Sequence, residues 1–171
     1  QSRLLHLDGR DLQASLLAAQ SAKQHGTLVS IDIGSPRLIP DELLELLDIA
    51  IVSETYADAH LAKNNPLKSA KMLLDYGASI AAVTCGEHGS YWASADAEFH
   101  QPAFPVTVMD STGAGDVFHG AALYGILNDF SLEHTAAFAA ATAAIACQKV
   151  GGKAGIPELE EIKSFLSLTE V

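Results

Sequence analysis

Apolar positions along this chain follow two alternating rhythms. Short continuous apolar runs occupy 4–7, 27–33, 49–52 and 80–84, and glycine, aspartate or serine bounds each of them. Between them, apolar residues recur at helical spacing over 11–24 (Leu12, Leu16, Leu17, Ala19) and 67–76, with a shorter helical turn at 41–47 after Pro36 and Pro40. Unbroken apolar runs are expected to be strands buried on both faces. Their alternation with helices predicts an α/β fold with a mostly parallel sheet and helices on both faces. A hairpin with a polar tip at Asp96 is expected at 90–93 and 99–103. A short strand is expected to end at Asp110. Two long helices follow at 115–127 and 132–150, then a last one at 157–166, with Pro157 suited to a first helical turn. No repeat, low-complexity tail or linker interrupts the pattern, so one domain over residues 1–171 is the simplest count.

Composition narrows the classes. The 171 residues are 49% apolar, enough for a substantial core. A formal net charge of −11 opposes non-specific binding to nucleic acid or to anionic membranes, so neither is expected as a partner. Cys85 and Cys147 make no disulfide framework and no metal-ligand spacing, which fits a reducing cytoplasmic setting. The Ala-rich run at 136–147 is too short to span a membrane.

In sheets of this kind ligands bind beyond the carboxyl ends of the strands. Asp8, Asp32, Ser53, Thr84 and Asp110 fall there. The richest stretch is Val108-Met109-Asp110-Ser111-Thr112-Gly113-Ala114-Gly115-Asp116-Val117-Phe118-His119-Gly120. Gly113 and Gly115 let the backbone turn sharply and let its N–H groups come close to a bulky ligand. With the positive end of the following helix, the Gly113, Ala114 and Gly115 amides suit an anion such as phosphate. Asp116 is out of place in a loop that only binds anions. It makes sense as a general base that accepts a hydroxyl proton while the loop neutralises a phosphoryl group moving onto that hydroxyl. On residue types alone, a helix-capping aspartate in a tight strand-to-helix turn stays open. No Gly-Lys-Ser/Thr follows, as a P-loop needs. Phe118 stands where a dinucleotide fingerprint needs its third glycine.

Asp110-Ser111-Thr112-Gly113-Ala114-Gly115-Asp116-Val117-Phe118 resembles the C-terminal signature of the ribokinase, or PfkB, family of carbohydrate kinases. The resemblance covers nearly the whole chain. It implies a ribokinase-like three-layer sandwich, here without the N-terminal part and lid that carry most of the sugar-gripping residues. It implies ATP and Mg2+ as cofactors and a small sugar-like molecule as acceptor. Asp116 would be the catalytic base and the amides of Gly113, Ala114 and Gly115 the anion hole. Thr84-Cys85-Gly86-Glu87-His88-Gly89 is similar to the family's Thr-x-Gly-x-x-Gly segment, which places Thr84, Gly86 and Gly89 near the nucleotide; without the resemblance it reads as a glycine-bearing turn. Resemblance also sets the adenine near Ala140 on the Ala-rich helix and Gly152 in the loop after it. Alternatively, the alanines there are only good helix formers. A monovalent cation near Asp110 is a further implication. Lids often form the interface in this family, so a homodimer stays an open expectation.

One segment departs from the pattern. Ser53-Glu54-Thr55-Tyr56 stands where the family has Asn-x-x-Glu, associated with magnesium, so the carboxylate at the fourth position is missing. Ketohexokinase-like members depart similarly. Taken alone, Ser53 and Tyr56 read as a loop after a buried strand. The leading expectation is ATP-dependent phosphoryl transfer to a sugar hydroxyl. A nucleoside or sugar-phosphate kinase of the same family and a non-catalytic nucleotide-binding module are the alternatives.

Overall fold

A computed structural model describes residues 2–169. The chain folds as two compact units, one running to Cys85 and including Tyr91–His100, the other comprising Gly86–Ser90 and the chain from Gln101 on.

The first unit is built on a sheet whose strands lie in chain order: β1 (Leu4–Leu7), β2 (Leu28–Ile33), β3 (Ile49–Ser53), β4 (Ile80–Thr84), β5 (Ser90–Ser94) and β6 (Glu98–Gln101). The first four pair in parallel, with Leu5 opposite Val29, Ile31 opposite Ala50, and Ala50 opposite Ala81. The expectation of a mostly parallel sheet therefore holds. The helices between the strands are α1 (Leu12–Gln24), α2 (Asp41–Leu44), α3 (Glu54–His60) and α4 (Pro66–Asp75). Val29, Ile31, Ile33, Val52 and Val83 point toward a core shared with Ala19, Leu43, Tyr56 and Leu73. The alternate residues Ser30, Ile49, Ile51, Ala82 and Trp92 are buried as well, which explains why the strands read as unbroken apolar runs. Asp48 fixes the entry to β3. Its carboxylate accepts the Val29 N–H at 2.8 Å and a bond from Lys23 Nζ at 2.6 Å, and its carbonyl accepts the Ser79 N–H.

The second unit consists of α5 (Ala114–Leu127), α6 (Leu132–Cys147) and α7 (Leu159–Thr169), with a short 3-10 turn at Gly86–His88. Helix α5 packs on α6, and α6 on α7. The crossing of α5 and α6 is tight, since a Cβ added at Gly125 would stand 2.9 Å from Thr135 Oγ1. Ala136, Ala139, Ala140 and Ala141 are all buried. The small residues of α6 thus do more than favour helix: they permit close packing. Tyr124 of α5 stacks on Phe138 of α6 at 5.5 Å between ring centroids, and Phe130 meets the same ring edge-on at 5.7 Å. Among the described residues no helix is long and apolar enough to cross a membrane.

Three expected elements differ. The loop expected at Ser53–Tyr56 is the start of α3: Ser53 caps it, its Oγ accepting the Tyr56 N–H at 3.2 Å. The strand expected before Asp110 is absent, and residues 102–113 run without regular structure. Val108 and Met109 are exposed there, and the N–H groups of Met109 and Asp110 go to the single carbonyl of Cys147 rather than to a neighbouring strand. The last helix starts at Leu159, after Pro157 rather than at it.

Candidate functional site

The turn into α5 is shaped by Gly113, its N-cap, in the left-handed region at φ +77°. A side chain is disfavoured there on two counts. The backbone conformation favours glycine, and a Cβ would stand 3.1 Å from the Gly152 Cα. The reciprocal contact is as close, since a Cβ on Gly152 would stand 3.0 Å from the Thr112 carbonyl oxygen. Two loops distant in sequence thus meet backbone to backbone, and glycine on each side permits it.

Asp110 ties the same two loops together. One carboxylate oxygen accepts the Thr112 N–H at 2.9 Å and the other the Gly151 N–H at 2.8 Å. The Thr112 N–H, then the Thr112 hydroxyl, then the Gly151 N–H hold its carboxyl below the ordinary value of 3.8. The nearby Asp110 charge joins burial in pushing the Cys147 thiol up.

The amides at the head of α5 divide into two groups. The Ala114 N–H is committed to the Ser111 carbonyl at 3.1 Å, and the Val117 N–H to Gly113 at 2.9 Å. Those of Gly113, Gly115 and Asp116 have no acceptor among the described residues. The open set therefore includes the amide of Asp116 and omits that of Ala114. Asp116 lies in the first turn of α5 with an exposed side chain, where the positive helix end favours a negative charge.

These groups open into a cavity of about 680 Å3 in the second unit. Thr112, Gly113, Asp116, Gly152 and Lys153 line it together with an apolar wall that includes Val117, Tyr124, Phe138, Ile156 and Ile162. The pattern of a few convergent polar groups on an apolar wall is that of a small-molecule site. Thr142 also lines it, but its hydroxyl donates to the Phe138 carbonyl at 2.6 Å.

A match spanning residues 1–159 to the model of the pfkB family carbohydrate kinases accompanies this geometry. The chain belongs to the pfkB family. It is similar to the ribokinase of Haemophilus influenzae, with 31% identity over 155 residues, covering 88% of this chain and 51% of that protein. It is also similar in structure to an Arabidopsis thaliana ribokinase complexed with ribose and ATP (TM-score 0.84, 26% identity, 95% of this chain and 55% of that one). A ribokinase-like E. coli protein in complex with ATP and Mg2+ gives a TM-score of 0.82 at 27% identity, over 97% of this chain and 59% of that one. This pfkB chain thus spans about half the length of the curated relatives it matches.

Among the lining residues neither Ala140 nor Gly86 nor Gly89 appears. Ala140 is buried within α6. Gly86 is exposed in the 3-10 turn, and Gly89, at φ +87°, is wedged against the backbone of Gln101, Pro102 and Ala103. Thr84 ends β4 in the first unit, its hydroxyl donating to the Val52 carbonyl at 3.4 Å. Also in the first unit, Tyr56 points into the core, where burial pushes its phenol up to about 12. Burial does the same to Cys85, also to about 12, with the Glu54 and Asp58 charges adding, so Cys85 is a packing residue. Sequence reasoning missed the bridging task of Asp110 and the apolar wall from Tyr124, Ile156 and Ile162. Their spacing carries no local pattern, since the contacts join distant segments.

Proposed function

We propose that this chain forms the nucleotide-binding and phosphoryl-transferring part of an ATP-dependent kinase acting on a small sugar-like hydroxyl. The observation that carries the proposal is the placement of Asp116. It stands in the first turn of α5, beside three open amides, on the wall of an apolar cavity. The ribokinase relatives and the ATP complexes among its structural neighbours support it.

The described residues fit a nucleotide. The cavity offers an apolar wall for a base, and Lys153 with the open amides offers positive partners for phosphates. No group of three or more His, Cys, Asp or Glu that could hold a metal ion occurs among the described residues. That suits Mg2+ held chiefly by phosphate oxygens and water, with few protein ligands. Mg2+-ATP supplies the transferable phosphoryl group and part of the charge neutralisation. Asp116 accepts the proton of the attacking hydroxyl. The Gly113, Gly115 and Asp116 amides stabilise charge on the moving phosphoryl group, fixed in place by the contact of Gly113 with Gly152 and by Asp110 across the two loops. Each oxygen of Asp110 accepts one backbone N–H bond, which gives it this bridging task, and each keeps a lone pair with which it would hold a monovalent cation.

The test is ATP consumption by the full-length protein against a panel of sugars, nucleosides and sugar phosphates. Turnover with a sugar supports the proposal. Tight ATP binding without turnover on any acceptor favours the non-catalytic nucleotide-binding module.

A further inference from the structure

Helix α5 carries one residue that its packing does not explain. Val117, Phe118, Ala121, Ala122 and Leu123 are buried apolar side chains, and His119, among them, is only 4% exposed. A buried imidazole is costly unless its polar atoms are bonded. Its Nδ1 lies 2.8 Å from the Gly115 carbonyl oxygen, one turn back. A carbonyl only accepts, so Nδ1 carries the hydrogen and donates.

The acceptor matters because of what shares its peptide plane. The Gly115 carbonyl and the Asp116 N–H belong to one peptide unit, and that N–H is among the three open at the head of α5. A hydrogen bond to a carbonyl polarises its peptide and strengthens the donor at the other end. We infer that His119 is a positioning residue: its Nδ1–H holds and polarises the Gly115–Asp116 peptide, so that the Asp116 amide is aimed and strengthened toward the anion held at the head of α5. The inference rests on the phosphoryl-transfer reading for its catalytic consequence, but the hydrogen bond itself does not depend on it.

The test uses His119→Leu, which removes the donor, and His119→Asn, whose side-chain nitrogen takes the place of Nδ1. Two readouts are taken on the full-length protein. The first is the amide proton shift of Asp116 by NMR, which is independent of activity. It should move upfield in His119→Leu and stay near wild type in His119→Asn. The second is steady-state kinetics. Loss of one hydrogen bond gives about a tenfold fall in kcat for His119→Leu at little change in the KM for ATP, with most of kcat restored in His119→Asn. If His119→Leu does not fold, His119→Gln replaces it, since its longer side chain carries the amide nitrogen past the Gly115 carbonyl. An Asp116 shift indifferent to all these variants overturns the inference, as does equal loss of kcat in the Leu and Asn variants. An inactive wild type whose Asp116 shift still follows the donor overturns the kinase reading alone.

Discussion

Four glycines around the candidate site separate two physical effects that usually come together. Gly113 combines a left-handed backbone with a Cβ position 3.1 Å from another backbone atom. Gly152 has the close approach, 3.0 Å to the Thr112 carbonyl oxygen, without a positive φ. Gly151 has the positive φ, +91°, and open space. Gly115, in the first turn of α5, has neither. A left-handed alanine costs about 1–2 kcal/mol, and forcing a methyl into close-packed backbone costs about 1–3 kcal/mol. The expected losses on substitution by alanine are therefore about 1–2 kcal/mol at Gly151, about 1–3 at Gly152 and about 2–5 at Gly113. Gly115→Ala should instead gain about 0.5–1 kcal/mol, because alanine is the better helix former. Urea unfolding of the four variants measures this, each loss appearing as a lower midpoint at unchanged slope. The double substitution at Gly113 and Gly152 should cost less than the sum, since either methyl already forces the loops apart. Equal stability of Gly113→Ala and Gly115→Ala would refute the claim that a backbone-to-backbone contact shapes the site.

Three further outcomes follow from the same geometry. The Asp110 carboxyl is depressed in the folded state, so its contribution is present above the unfolded value near 3.8 and is lost as pH falls through the lower folded value. The stability gap between wild type and Asp110→Asn should therefore close on acidification below about pH 4, read from urea midpoints across pH; a gap that widens there would be inconsistent with it. Ser53→Ala removes the cap of α3 and should cost about 1 kcal/mol in the same assay, with no change indicating that the helix is held by packing alone. Gly89→Ala should be more damaging than any of the four glycine variants above, because its Cβ would collide with the Gln101 carbonyl and stand 2.8 Å from the Ala103 nitrogen; a mild effect in thermal unfolding would show that the turn can yield.

Much of this molecule is visible in its sequence where the signal is local. Strands β2, β3 and β4 are buried on both faces, so each stands out as an apolar run, and Gly26 and Gly77 mark the ends of α1 and α4. The head of α5 is legible for the same reason, since glycines, turn and aspartate are neighbours in the chain. Helix α3 escaped because it is short and follows a strand without a break, although Ser53 before Glu54 is a capping signal. The strand expected before Asp110 rests on the apolar residues Val108 and Met109, but a strand also needs a partner ladder, which no local pattern reveals. Asp110 as a bridge, the meeting of Gly113 with Gly152 and the apolar wall of the cavity all join segments some forty residues apart, beyond any periodicity.

The role proposed for Asp116 is that of base in a phosphoryl transfer rather than that of a helix-capping residue. It is tested most directly by comparing wild type and Asp116→Asn in the full-length protein, with ATP binding followed by calorimetry and sugar phosphorylation by product detection. A base at position 116 requires unchanged ATP affinity and a fall in kcat of about 10²–10⁴ in Asp116→Asn. Turnover retained at the wild-type rate in Asp116→Asn would contradict it.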